Sequence, residues 1–362
     1  HTMKHRQVGV GKSGVLNPDG HAIGVDLGAS AVRAAVLAPG TLDGRPSVTV
    51  HGLGQVPLPP GAVVNGVVCD QGAVTRALRE LWQVNKFECR SVILGLTSQQ
   101  VVVRDLTLPN LPPDQLAKAL PFQAREIVPI PLDQALLDFT PLGPPDPATD
   151  TQAGLLIAAP RQPVITAVQT VERAGLRVAR VDLSSLAVLR SIADERLSVE
   201  AVVDIGAHIT NIVIHNHGIP KVVRAVSRGG RELTELLTSK GGFDEASAEF
   251  AKREVGLTGP DQRVADIIAQ GVRPLLAEIR SSVQYFASAN PEVRLERVSL
   301  TGGSSALPGL ASLLGEQLDV PTGAVPATQH IRNRWLSTGP EGQMGHQGAS
   351  AVSVGLAMGA AA

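Results

Sequence analysis

Two stretches of the chain carry an aspartate, a glycine and a hydroxyl-bearing residue in the same order. Each aspartate ends an apolar run, and a second apolar run begins close to the hydroxyl residue. The glycine lets the backbone turn sharply so that amide N–H groups can face an anion, and the hydroxyl adds a donor. Carboxylates suit Mg²⁺, which binds through one or two of them together with phosphate oxygens. The residues are Asp26, Gly28 and Ser30, and then Asp204, Gly206 and Thr210.

The recurrence of this turn decides its interpretation. A single copy would indicate an ordinary β-hairpin with a capped turn, because the pattern is loose. Two copies predict two similar domains that close on one magnesium nucleotide. A third stretch, Gly302, Gly303 and Ser304, follows a predicted strand at 298–300 and opens a helix. Paired glycines there allow a ligand to approach the backbone and the positive end of the helix.

A pair of charged residues lies on a predicted helix at 245–256. Glu249 and Lys252 are three positions apart and so share a helix face. The pair is either an exposed ion pair, worth under about 1 kcal/mol, or a pair that binds the hydroxyls of a ribose. The residues by themselves leave both alternatives open.

The elements around the two turns follow one order, which is three strands and then a helix. In the first copy, strands are predicted at 22–27, 32–38 and 48–55 and a helix at 71–85. In the second copy, strands are predicted at 201–205, 209–214 and 219–226, and Gly229 and Gly230 open the helix. Chance can repeat a short motif but not the order of whole elements, so the repeat predicts related domains.

A separate unit is predicted between the two copies, at residues 92–183. Its element order is β-β-α-β-β-α-β, which indicates a small α+β subdomain inserted into the first repeat. The strands are predicted at 91–96, 100–108, 135–141, 154–159 and 178–182, and the helices at 113–127 and 163–174.

Composition excludes several classes of function. The formal net charge is −1, so no basic field would gather nucleic acid or an anionic membrane surface. Cys69 and Cys89 lack metal or redox spacing, which indicates reduced thiols in a cytosolic protein. No signal peptide or membrane span is predicted, and 348–362 is expected to be a packed helix. Residues 1–20 are predicted to be a flexible leader that includes a cloning remnant, His1-Thr2-Met3.

Taken together, the motifs resemble those of the actin, Hsp70 and sugar kinase superfamily. More specifically, the chain resembles the PilM family of type IV pilus assembly, itself similar to the division protein FtsA. Three stretches carry the resemblance, at 121–139, 248–253 and 302–310. It covers nearly the whole chain and implies an actin-like α/β fold with two similar domains around a nucleotide cleft.

The resemblance also implies a division into subdomains. The expected parts are 1A at 21–91 and 184–199, 1C at 92–183, and a second domain at 200–362. Within the second domain, 2B is expected as an insertion at about 230–295. The insert predicted from the element order fits 1C in position.

The resemblance implies that the chain binds ATP and Mg²⁺. Asp26, Gly28 and Ser30 would hold the β- and γ-phosphates from the first domain, and Gly206 and Thr210 from the second. Asp26 and Asp204 would bind Mg²⁺ through water, Glu249 and Lys252 would reach the ribose, and Gly302, Gly303 and Ser304 would line the adenosine pocket. Gly229 and Gly230 complete the candidate nucleotide-binding set.

Two departures from the family pattern bear on the chemistry. Arg33 stands where relatives commonly have Lys; both supply a cation near phosphate, but Arg is bulkier and forked. No residue is found that would orient an attacking water. The family is expected to turn over ATP slowly or not at all, which agrees with that finding.

The resemblance implies a PilN-like partner whose cytoplasmic N-terminal segment binds in a groove of 1C, with other pilus platform or motor proteins as further partners. The protein would then be cytoplasmic and peripheral to the inner membrane. Val101–Val103, Leu116 and Leu120 either line that groove or form the core of the subdomain. One alternative function is a sugar or acid kinase with Asp105 or Asp138 as its base. Another is an FtsA-like filament protein, which would carry an amphipathic C-terminal helix that is not predicted here.

Overall fold

The computed structural model describes residues 20–42, 45–328, 331–333 and 348–361, and the predicted leader therefore lies almost wholly outside them. The first half begins with the predicted meander, in which β2 runs antiparallel to the fully buried β1. Asp70 caps the helix that follows by accepting from the N–H of Ala73 at 2.9 Å. The elements are β1 (Ala22–Leu27), β2 (Ala31–Leu42), β3 (Arg45–Pro57), β4 (Val63–Val64), β5 (Val67–Val68), α1 (Gln71–Asn85) and β6 (Ser91–Leu96).

The inserted unit is a three-stranded antiparallel sheet in the order β7-β9-β8 with one helix. Its own core includes Leu120 on the helix and Phe139 and Leu156 on the strands, with Leu116 packed against it. Leu116 and Leu120 are therefore core residues of the insert, the second of the two predicted alternatives. The elements are β7 (Val102–Pro109), α2 (Pro113–Ala124), β8 (Ala135–Pro141) and β9 (Thr151–Pro160).

The chain then returns to the first sheet, whose strand order is β10-β6-β1-β2-β3 and ends with a short strand, β16 (Arg332–Asn333). Two strands expected within the insert, at 91–96 and 178–182, are β6 and β10 of this sheet and pair in parallel. This corrects the predicted grouping, and the reason is that β6 is almost wholly buried, as a central parallel strand is. The returning elements are α3 (Arg161–Arg173), β10 (Arg177–Leu183) and α4 (Ser184–Ile192).

The second half repeats the predicted meander, and the two predicted helices, α5 and α6, follow it. Its sheet has the order β13-β12-β11-β14-β15, and β14 runs parallel to β11. Helices α5, α6 and α7 contribute Leu237, Ala251 and Ile268 to one core with these strands. The elements are β11 (Val199–Ile205), β12 (Thr210–Asn216), β13 (Ile219–Val226), α5 (Gly230–Gly241), α6 (Glu245–Glu254), α7 (Gln262–Ala289), β14 (Arg297–Thr301), α8 (Leu310–Leu318) and β15 (Thr322–Ala324).

The last elements pack on the first half, although residues 200–362 were all expected in the second domain. β16 (Arg332–Asn333) pairs with β3, and α9 (Ala351–Ala361) packs on β1, β2 and α4. The cause is a shared apolar core, in which Val354 and Leu356 meet Ile93 and Val188. Helix α4 contacts strands of both sheets, so it connects the two halves. Across the described ranges, no helix has the length and apolar character needed to cross a membrane.

Candidate nucleotide-binding cleft

A cleft of about 430 Å³ lies between the two halves, and the three predicted motifs meet in it. Both turns and the glycine pair before α8 contribute to its walls. The predicted residues that line it are Asp26, Gly28, Ser30, Arg33, Asp204, Gly206, Gly230, Glu249, Lys252, Gly302, Gly303 and Ser304. Residues far apart in the sequence are thus brought together as one site.

The first turn carries a carboxylate and a cation directly opposite each other. Asp26 is the penultimate residue of β1 and pairs in register with Arg33 of β2, and Arg33 Nη1 lies 3.6 Å from Asp26 Oδ2. The same guanidinium approaches Ser30 Oγ at 3.4 Å and Gln55 Oε1 at 3.3 Å. Burial raises the pKa of Asp26, and the charge of Arg33 opposes that rise. The turn therefore combines one buried carboxylate with the cation that partly neutralises it.

The second turn carries the matching carboxylate. Asp204 is the penultimate residue of β11 and accepts a hydrogen bond from Asn211 Nδ2 at 3.0 Å. Burial raises the pKa of Asp204 to about 6, the Asn211 hydrogen bond opposes the rise, and the negative charge of Asp26 adds to it. Two buried carboxylates that repel each other across a cleft favour a shared cation.

These donors fit the magnesium ion that the fold implies. No cluster of three or more His, Cys, Asp or Glu side chains is arranged for a metal among the residues that the structure describes. Mg²⁺ does not need such a cluster, because it keeps several waters and takes phosphate oxygens beside one or two carboxylates. Asp26 and Asp204 would hold it, and the ion would supply charge neutralisation for the phosphates.

Two predicted residues are placed outside the cleft wall. Thr210 is fully buried, and its hydroxyl donates to the carbonyl of Arg228 at 2.8 Å. Successive residues of a strand face opposite sides, so Asn211 reaches the cleft and Thr210 does not. Gly229 precedes α5, and the N–H of the next residue, Gly230, donates to the carbonyl of Gly206 at 2.9 Å. Gly229 thus lies behind the second turn as its support.

The third motif packs directly on the second turn. Gly302 has φ +90°, and a Cβ there would lie 2.5 Å from the carbonyl of Ile205 and 2.6 Å from Asp204 Oδ1. Both the left-handed conformation and the close approach therefore require glycine. The N–H of Ser304 donates to the carbonyl of Ile205 at 3.1 Å, which fixes the position of the motif.

Glu249 and Lys252 form more than a surface ion pair. Lys252 Nζ is 3.0 Å from Glu249 Oε1 and 2.9 Å from both the carbonyl of Gly230 and Thr234 Oγ1. Burial lowers the pKa of Lys252, and Glu249 opposes that change. The lysine ties α6 to the start of α5, while Glu249, with 41% of its side chain exposed, faces the cleft. The arrangement leaves a carboxylate available to ligand hydroxyls.

Several cleft residues were not predicted. Asn211 and His208 belong to the second turn and its strand, and Arg231 and Glu245 form an ion pair of 2.6 Å between α5 and α6. The pairing of Asp204 with Asn211 follows from strand register and could have been found from the predicted hairpin. The Arg231–Glu245 pair depends on the helix packing, which no local pattern in the sequence indicates.

Gly303 offers a direct test of ligand approach. No atom lies within 4 Å of a Cβ built there, so the fold does not require glycine at this position. We expect Gly303→Val to lower ATP affinity by about 10–100-fold, since the valine would occupy ligand space. Gly323→Val is the matched control, because Gly323 has equally open surroundings on β15, outside the cleft wall. Calorimetric titration would measure the ATP affinity of both variants. Equal affinity in the two would contradict the assignment of Gly303 to the ligand-binding wall of the cleft.

Comparisons with known proteins agree with this geometry. The family model described as "Type IV pilus assembly protein PilM" matches residues 24–361. The solved PilM-PilN type IV pilus biogenesis complex contains a chain 27% identical with a TM-score of 0.81, covering 95% of this chain and all of that one. Cell division protein FtsA of Bacillus subtilis is 22% identical over 342 residues, 82% of this chain and 76% of FtsA.

A more distant likeness concerns the fold alone. MreB5 of Spiroplasma citri, solved bound to ADP, is 12% identical with a TM-score of 0.53, over 92% of this chain and 94% of that one. At this identity the similarity concerns the overall fold, which is the actin-like α/β fold. The predicted fold class is thereby confirmed.

Proposed function

The chain belongs to the PilM family of type IV pilus assembly proteins, and we propose from this that it is an ATP-binding assembly protein of the pilus inner-membrane platform. The observation that carries the proposal is the meeting of the three predicted motifs in one cleft of a chain that matches the family over 24–361. The protein would act on the cytoplasmic side and be held at the membrane by a partner.

We propose that ATP serves mainly as a ligand that holds the two halves together. Asp26 and Asp204 come from different halves, so a Mg²⁺ ion bound between them would favour the closed arrangement. Arg33 and Ser30 would contact phosphate, Glu249 would contact the ribose, and Gly303 would adjoin the adenosine. Hydrolysis is expected to be slow or absent.

The proposed partner is the cytoplasmic N-terminal segment of a PilN-like inner-membrane protein, bound at the insert. The solved PilM-PilN complex supports such a partner. Leu116 and Leu120 are part of the insert core, so they do not supply the docking surface. Val101 and Val103 are half-buried beside α4 and stay candidates for it.

The experiment that tests this proposal is a calorimetric titration with two ligands. Mg·ATP and a synthetic peptide of the cytoplasmic N-terminal segment of the PilN-like partner would be added in both orders. Binding of both ligands with one site each supports the platform function. Failure of the peptide to bind, with ATP bound, would contradict it.

The kinase alternative finds no support in the cleft. Neither Asp105 nor Asp138 lines it; Asp105 lies on β7, and Asp138 lies on β8 near Arg180 and Asp182. We therefore expect Asp105→Asn and Asp138→Asn to leave ADP release unchanged with any sugar or small acid present. A coupled assay over a panel of acceptors would measure ADP release. An acceptor-dependent rate that is lost in either variant would support the kinase alternative.

The filament alternative is motivated by the similarity to FtsA. A protein of that kind would form ATP-dependent polymers. We expect sedimentation with Mg·ATP to leave this chain in the supernatant, and ATP-dependent pelleting would favour the filament function instead.

A further inference from the structure

A buried hydrogen-bond chain leads from the cleft carboxylate into the helix between the halves. Asn211 Nδ2 donates to Asp204 Oδ2 at 3.0 Å, and Ser185 Oγ donates to Asn211 Oδ1 at 2.9 Å. Asn211 and Ser185 are each only 3% exposed. One amide side chain thus joins a predicted cation ligand to the second residue of α4.

The two ends of the Asn211 amide are held by different partners, so its orientation is fixed. In a buried site these hydrogen bonds are stronger than in water, and leaving one group unpaired is costly. A displacement of the Asp204 carboxylate therefore cannot be absorbed by Asn211 alone. It is passed to Ser185, or the hydrogen bond is lost.

The first turn of α4 also touches the insert. Leu186, next to Ser185, forms one buried cluster with Leu155 and Ile157 of β9. The same cluster takes in Val223 of β13 at its edge, so the second half, the insert and α4 meet there. A shift at the start of α4 would consequently change how the insert packs against this helix.

The far end of α4 is anchored to the first half. Arg190 Nη2 donates to Asp182 Oδ2 at 2.5 Å, and Arg190 Nε donates to the carbonyl of Gly355 on α9 at 3.0 Å. The C-terminal end of α4 is therefore held against the first half, while its N-terminal end is hydrogen-bonded to the cleft through Ser185. Movement at Ser185 then turns the helix against β9.

From these contacts we infer that Ser185 and Asn211 are positioning residues that couple nucleotide binding in the cleft to partner binding at the insert. The inference rests on the proposed function, because it assumes that the cleft takes Mg·ATP and the insert takes the partner segment. It adds the path and the residues by which one site changes the other. Reciprocal coupling of the two affinities is the required consequence.

The test is a comparison of two serines on the same helix. Ser185 and Ser191 are both buried and both donate a hydrogen bond, but only Ser185 faces the cleft network. The affinity for the PilN-like peptide is measured with and without Mg·ATP in the wild type, Ser185→Ala and Ser191→Ala. We expect a change of about five-fold or more in the wild type and in Ser191→Ala, and under about two-fold in Ser185→Ala.

A conservative series keeps the test decisive if the alanine variant folds poorly. Ser185→Thr retains the hydroxyl and is expected to keep the coupling, whereas Ser185→Cys, with a weak donor, is expected to reduce it. Coupling that survives in both Ser185→Ala and Ser185→Cys would overturn the inference. Wild-type protein that binds both ligands independently would also overturn it while leaving the proposed function intact, and failure of either ligand to bind would overturn both.

Discussion

Asp204→Asn is expected to make the nucleotide-free protein more stable and to weaken its binding of Mg·ATP. Burial raises the pKa of Asp204 to about 6, above the ordinary value of 3.8. The folded state therefore holds this proton more tightly than the unfolded chain, and stability falls as pH rises from about 4 to 6. Above that window the ionised carboxylate costs on the order of 1–3 kcal/mol, which the neutral amide would remove.

Asp204→Asn should also weaken the binding of Mg·ATP strongly. A carboxylate that holds Mg²⁺ directly or through water contributes about 10–100-fold to metal affinity. Thermal unfolding at pH 8 and calorimetric titration with Mg·ATP would measure the two effects. Asp105→Asn is the matched control, being the same change at an exposed position on β7 of the insert, and should alter neither. A variant that binds Mg·ATP like the wild type, or that unfolds earlier, would contradict the account of Asp204.

Glu200→Leu is expected to lower the free energy of unfolding by about 3–5 kcal/mol, since it leaves buried donors without their acceptor. Glu200 is fully buried on β11 and accepts from Arg297 Nη2 at 2.7 Å, His215 Nε2 at 2.9 Å and Ser299 Oγ. The N–H of Asp194 donates to it as well, at 2.7 Å. A single carboxylate thus joins β11, β12, β14 and the segment that follows α4.

The pH dependence of stability provides a second test of the contribution of Glu200. Burial alone would raise the pKa of Glu200. Hydrogen bonds from His215, Ser299, the N–H of Asp194 and Arg297 outweigh this effect and hold the pKa below 4.5. The stability it contributes is present above the unfolded value and is lost as pH falls through the folded one. Acid unfolding of Glu200→Leu should lack this component.

The control for this prediction is another Glu–Arg pair. Glu278 and Arg224 are 3.2 Å apart, but their side chains are 38% and 41% exposed. Glu278→Leu should cost under about 1 kcal/mol, because solvent screens the pair. Denaturant unfolding of both variants would measure the difference. Equal losses in the two would show that burial of the Glu200 cluster has no special effect.

The sequence was informative where local pattern and function coincide. The strand, turn and strand around Asp26 and the second meander were predicted, because hydrophobic alternation and turn residues agree there. The approach of the third motif to the second turn was implied only by the resemblance. In the structure it follows from Gly302, which lies against Ile205 as no larger residue could.

The elements that were missed have physical reasons in common. Helix α4 was not predicted because nearly all of its residues are buried, so it lacks the polar face that marks a surface helix. Helix α9 was expected as a packed helix, but its position on the first sheet depends on long-range contacts with Ile93 and Val188. The placement of Thr210 was misjudged because a turn pattern does not show which strand face reaches the cleft.

A calorimetric titration of the purified protein with ATP, in Mg²⁺ and then in EDTA, repeated with Gly303→Val, shows whether the cleft binds a magnesium nucleotide. We expect one ATP per chain, weaker binding without Mg²⁺, and weaker binding again in the variant. This expectation would be contradicted by wild-type protein that takes up no ATP, or by ATP binding that neither EDTA nor Gly303→Val diminishes.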